Sequence, residues 1–147
     1  MMKLIVKGVS LILVMAILVA VPVSAEEVAT PYASAYFASH ETYVYVISGN
    51  RIGVWFDVVA SSKMDELGVS SIVMQKSSDG STWRDIKTFT PENYSVMLTN
   101  NKSYYANGVS YTGTYNYYYR AKVQYYAKKG TGSATYTVYT SPLFLAV

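Results

Sequence analysis

The residues able to do chemistry are few in this chain. His40 is its one histidine, and it has no cysteine. That removes a thiol nucleophile, a disulfide framework, and Cys-rich or multi-histidine zinc centres. His40 is the only histidine base available to a serine, yet no G-x-S-x-G elbow accompanies it, and a triad is defined by geometry rather than inventory. It lies toward the N-terminus beside Glu41 and reads as a surface histidine. The mid-chain acids are Asp57, Asp65, Glu66, Asp79 and Asp85. A glycosidase needs two carboxylates flanking a cleft. Here Asp65 and Glu66 fall in a predicted turn, Asp79 belongs to an Asp-Gly hairpin, and Asp57 falls on a wet face. No D-x-D-x-D-G calcium loop occurs. The Gly130-Thr131-Gly132-Ser133 stretch lacks the Lys-Ser/Thr and the helix of a phosphate loop. No catalytic residue, metal or cofactor is implied, and the expected class is non-enzymatic.

Aromatic surface is the remaining candidate. The chain carries 16 Tyr and two Trp. Trp55, Tyr118 and Tyr126 are predicted to point outward, with Arg120, Lys122 and Lys128 near the two tyrosines. A flat apolar ring with a polar tip suits sugars and protein partners alike. Tyrosine is also a good strand former, so Tyr117, Tyr119 and Tyr125 read as core.

Strands must position these residues. No segment has a convincing 3.6-residue apolar period, and several alternate with period 2. The first strand is predicted over 36–47 and the second over 51–60, with Ser48-Gly49-Asn50 as the turn. In the second, Ile52, Val54, Phe56, Val58 and Ala60 share the core face, which leaves Trp55 and Asp57 opposite. Residues 61–70 read as a connection, with one short helical turn at 64–67 stopped by Gly68. Strands follow over 71–76 and 82–90, joined by the Ser77-Ser78-Asp79-Gly80 hairpin turn. The odd-to-even step between Trp83 and Ile86 hints at a bulge. Residues 91–102 read as irregular. Later strands are predicted over 104–112, 116–128 and 134–140. Along 116–128, Tyr117, Tyr119, Ala121, Val123, Tyr125 and Ala127 form the inward set. Leu143, Phe144 and Leu145 form a tail able to pair at an edge. Seven short strands without a useful helix imply an all-β fold, a single seven-stranded antiparallel β-sandwich.

Residues 1–25 have the layout of a secretory signal peptide. Lys3 and Lys7 are a positive start, an apolar run of about 13 residues follows, and Val23-Ser24-Ala25 is a small-residue cleavage site. That run is short of the roughly 20 residues a span needs. The expectation is a secreted protein with a leader over 1–25, an extended lead-in over 26–35, a domain over 36–147, and no membrane span after cleavage. Removing Lys3 and Lys7 takes Lys+Arg from 12 to ten against nine Asp+Glu, so the net charge falls from +3 to +1. That is too little for a nucleic-acid partner.

The hairpin IVMQKSSDGSTWRDI resembles the C–C′ hairpin of a fibronectin type III domain. Tyr119-x-Ala121-x-Val123-x-Tyr125, followed by Gly130, is similar to that family's F strand. The resemblance implies a fibronectin type III or immunoglobulin-like sandwich with Tyr119, or else Tyr117, as a tyrosine corner. Roughly residues 30 to 140 also resemble a group of small secreted proteins of Gram-positive bacteria. The shared stretches are YFAS, KMDELG, SSDGSTW, SVMLTNN, VSYTG and YYAKKGTGS. That group implies export and brings no activity with it.

The expected function is therefore an extracellular binding or adhesion module. Its partner would be a cell-wall glycan or an extracellular protein, gripped by Trp55 and by Tyr118, Arg120, Lys122 and Tyr126. The alternatives are a self-associating surface protein, using edge strands and the 143–147 tail, or a small secreted hydrolase or inhibitor.

Overall fold

The computed structural model describes residues 35–147, so the leader and most of the lead-in lie outside the described residues. Seven strands follow one another: β1 Phe37–Ser48, β2 Arg51–Ser77, β3 Arg84–Phe89, β4 Leu98–Thr112, β5 Tyr117–Lys129, β6 Gly132–Tyr139 and β7 Leu143–Leu145. They form one antiparallel sheet. The only helical element among the described residues is a 3-10 turn, Ser95–Met97. None of their helices is long and apolar enough to cross a membrane.

The expected connection over 61–70 is instead the middle of a single 27-residue strand, β2. Its first part runs between β1 and the end of β4. Its second part runs between β5 on one side and the start of β4 and then β3 on the other. The buried positions explain why the pattern suggested a helical turn. They step by two from Ile52 to Ala60, then pass through Met64, Leu67, Val69, Ile72 and Met74. Two of those steps are of three residues, and a bulged strand writes the same spacing as one turn of helix. The pairing shifts at the second of them, between Val69 and Ser71 against β5, and also across the four-residue step from Ala60 to Met64, where register with β4 shifts between Val59 and Met64. A bulge also interrupts β2 against β3 at Met74 and Gln75. It lies close to the Trp83–Ile86 step in the sequence, although Trp83 itself precedes the strand.

Gly68 is required at the bend. Its φ is +150°, and a Cβ there would run into the Met97 carbonyl oxygen. This close crossing lets Met97 enter the core fully buried. Residues 98–102, expected to be irregular, extend β4 because β2 continues beneath them.

The sheet curls until its early and late strands meet. The Tyr125 ring of β5 contacts Phe37 and His40 of β1, with centroids 6.5 and 4.9 Å away. The Tyr125 hydroxyl donates to the Glu41 carbonyl at 2.6 Å. Inside the curl lie Ile52, Val54, Phe56 and Val58 from β2, and Tyr119, Ala121, Val123, Tyr125 and Ala127 from β5, all buried. The alternation in β5 thus places its inward set correctly, with Tyr117 half-buried but packed against the core. Each large side chain so buried contributes about 1.5–3 kcal/mol.

Tyr119 is fastened at both ends of its environment. Its hydroxyl accepts the Thr114 N–H at 2.6 Å and donates to the Thr114 carbonyl at 3.1 Å, five residues upstream. The tail is used as expected: β7 pairs with Tyr117, Tyr118 and Tyr119 at the start of β5.

Candidate functional site

The inward set of β2 forces Gly53, Trp55, Asp57 and Val59 onto the opposite face. Register builds that outer face across three strands. Tyr43 of β1 and Gly108 of β4 flank Trp55, while Tyr45 and Ser110 flank Gly53. Trp55 is half-buried there, on the expected face. Gly108 has no side chain to fill the place beside it. The result is a shallow trough of about 310 Å³, lined chiefly by Tyr45, Ile47, Arg51, Trp55, Gly108 and Ser110.

Its polar groups are placed at the rim. Arg51 Nη2 donates to Ser110 Oγ at 3.1 Å, which holds the guanidinium at one end. Glu41 and Asp57 face each other one row beyond Trp55, on the side away from Arg51. Among the described residues no carboxylate lines the trough. Tyr43 and Tyr45 expose 45% and 38% of their surface, and their rings lie 5.8 Å apart. The arrangement offers flat aromatic surface, a cationic donor at one end and carboxylate acceptors at the other.

The other expected residues do not join this site. Tyr118, Arg120, Lys122 and Tyr126 lie on the outer face of β5, which belongs to the other part of the curled sheet. They do not form one cluster either. Tyr118 and Tyr126 are eight residues apart on an extended strand, about 26 Å. Tyr118 stacks on Phe144 of β7 at 4.8 Å. Tyr126 is half-buried beside Glu66, and burial and that carboxylate both push its hydroxyl pKa up.

Arg120 is already occupied. Its guanidinium lies between the rings of Trp83 and Tyr139, at 4.4 and 4.6 Å from their centroids. Its Nε donates to Gln75 Oε1 at 2.7 Å, and Gln75 Nε2 donates to Asp85 Oδ1 at 2.7 Å. A guanidinium stacked on both faces is held as structure. Lys122 is exposed, with its amine 6.0 Å from the Tyr139 ring.

His40 departs from the expected surface position. It is wedged between the rings of Tyr125 and Tyr136, at 4.9 and 4.8 Å. Burial lowers its pKa, and the negative charge of Asp57 opposes that shift. Burial above all, with Asp57 and Glu41 adding to it, raises the pKa of the Tyr125 hydroxyl. Asp65 sits within β2 rather than in a turn, and its Oδ2 accepts the Gly130 N–H at 2.7 Å. Among the described residues no three His, Asp or Glu side chains are grouped to hold a metal ion.

Nothing in the sequence pattern alone assigns Tyr43, Tyr45, Arg51, Gly108 and Ser110 to this site. Their signal was the Tyr43-x-Tyr45-x-Ile47 alternation, which marks one face of β1 without saying that the face is shared with Trp55.

Comparison with known proteins finds no matching family model, no matching curated protein and no matching solved structure.

Proposed function

We propose that this protein is an exported, non-enzymatic binding module that grips a cell-wall glycan on the outer face of β1, β2 and β4. The trough beside Trp55 carries the reading. A sugar ring presents an apolar C–H face to Trp55 and Tyr45. Its hydroxyls meet Arg51 at one end and Asp57 and Glu41 at the other. The leader-like layout of residues 1–25 supports export. The seven antiparallel strands and the Tyr119–Thr114 bonds support a fibronectin type III-like sandwich.

Binding to isolated cell walls and to a glycan array tests the function. Trp55→Ala should keep the melting temperature near that of the wild type and lose most of the binding. Unchanged binding would remove Trp55 from the site, and no binding by the wild type would reject the glycan.

Self-association is the second reading, favoured by the exposure of Tyr139 and Phe144, at 51% and 45%. Sedimentation over a range of concentrations tests it, and a monomer throughout rejects it.

A further inference from the structure

We propose that the cleft at the turn end of the β2–β3 hairpin is an oxyanion site that takes a phosphate- or sulfate-type group. The cleft holds about 280 Å³ and is lined by Lys76, Ser77, Ser78, Thr82, Arg84 and Tyr117. It is separate from the Trp55 trough and shares no residue with it.

The pairing itself calls for an anion. Lys76 and Arg84 are direct partners across the antiparallel β2–β3 pair. Like charges placed opposite one another destabilise a sheet. Among the described residues no carboxylate lines the cleft to face them.

Neither neighbouring acid lines the cleft, although Asp79 is bonded to two residues that do. Asp79 Oδ1 accepts the Ser77 hydroxyl at 2.8 Å and the Ser81 and Thr82 amides at 2.8 and 2.9 Å. Asp85 Oδ1 accepts Gln75 Nε2 on the opposite face of the sheet. The hairpin thus spends its acids on its own turn and on the Arg120 network, leaving its two cations together.

The cations are also positioned. Lys76 Nζ lies 3.9 Å from the centroid of the Tyr117 ring. A ring face attracts an ammonium and orients it without cancelling its charge. Arg84 brings a planar fork suited to two oxygens of one group. The hydroxyls of Ser78, Thr82 and Tyr117 supply donors to the remaining oxygens. Ser77 is engaged in the turn, where its Oγ accepts the Gly80 N–H at 2.9 Å. A fork, an ammonium and several hydroxyls fit a tetrahedral oxyanion better than a planar carboxylate or a chloride.

Thermal melts of the purified protein test this, with chloride replaced by inorganic phosphate or by sulfate at constant ionic strength. Both anions also stabilise proteins generally by exclusion from the surface, so variants are needed. The wild type should show a saturable rise in melting temperature with phosphate. Lys76→Gln and Arg84→Gln should each weaken that response by about tenfold or more, the scale of one lost charged hydrogen bond. In chloride both variants should melt at or above the wild type, because the opposed charges are gone. Lys63→Gln, on the exposed middle of β2, should respond as the wild type does. A response to phosphate alone assigns a phosphate group, and an equal response to sulfate assigns the shared oxyanion chemistry. The same response in all four proteins, or no rise beyond chloride, overturns the site.

Discussion

The ring of Tyr45 lies over the backbone of Gly53, its partner across the β1–β2 pair, so closely that a methyl on Gly53 would collide with it. An aromatic ring laid on a strand glycine covers a backbone that would otherwise be open. Here it also forms one wall of the trough beside Trp55. Gly53→Ala should expel the ring, and because Tyr45 is 38% exposed and free to swing away, the stability should stay within about 1 kcal/mol of the wild type. Wall and glycan binding should fall toward the level of Trp55→Ala. Melting curves and the pull-down on isolated cell walls check both halves of the expectation.

Tyr119→Phe should destabilise the fold by about 1–3 kcal/mol. It keeps the ring in the core and strips both bonds to the Thr114 backbone, leaving a donor without its acceptor. Tyr117→Phe is the companion, since Tyr117 is only half-buried, and it should stay within about 0.5 kcal/mol of the wild type. Urea unfolding at neutral pH measures the two.

Acid should weaken the protein in two steps. His40 has a folded pKa below its ordinary 6.5, chiefly from burial. Its contribution is therefore present above about pH 6.5 and is lost as pH falls through that value, because the unfolded chain takes the proton more readily. As the one histidine, it is the side chain that ordinarily titrates in this window. Asp79 is held at about 2 by the Thr82 and Ser81 amides and the Ser77 hydroxyl, against an ordinary 3.8. Its contribution holds above about pH 4 and disappears toward pH 2. Unfolding free energy measured from pH 8 to pH 3 should show both declines, and His40→Phe should flatten the first alone.

Arg120→Lys should not be a neutral exchange. A lysine cannot fill the slot between Trp83 and Tyr139 while also donating from Nε to Gln75. The expected loss is about 1–2 kcal/mol. The fluorescence of Trp83 should change as well, read in a Trp55→Phe background so that the signal has one source. An unchanged spectrum would show that the stacked guanidinium is not held in solution.

Strand identity was largely written in local alternation. The inward face of β5 and the first part of β2 follow from period 2 and needed no partner to be recognised. What failed to show was where a strand bends without ending. Along Met64, Leu67, Val69 and Ile72 the buried spacing of an irregular strand passes for that of a helical turn, and only the strands on either side decide between them. The outward direction of Trp55 was legible for the same reason as the core beneath it. Its neighbours were not, because Gly108 and Ser110 are brought beside it by register with a strand far along the chain. Arg120 looked like a free cation because Trp83, from a loop, and Tyr139, from β6, arrive only through tertiary packing.

The length of β2 has a consequence for how this chain reaches its fold. β1 and the start of β2 can pair early, across the Gly49-Asn50 turn. The apolar side of β2 then waits for distant partners, since Ile52 pairs with Tyr111 and Val69 with Tyr125. Closing loops of that size before any reward makes folding slow. It also couples the two parts of the curl, for one strand belongs to both. A chain cut short before β5 lacks Tyr119, Ala121, Val123 and Tyr125 in its core and should be a ready substrate for proteases. The core therefore closes only with the arrival of the last third of the polypeptide.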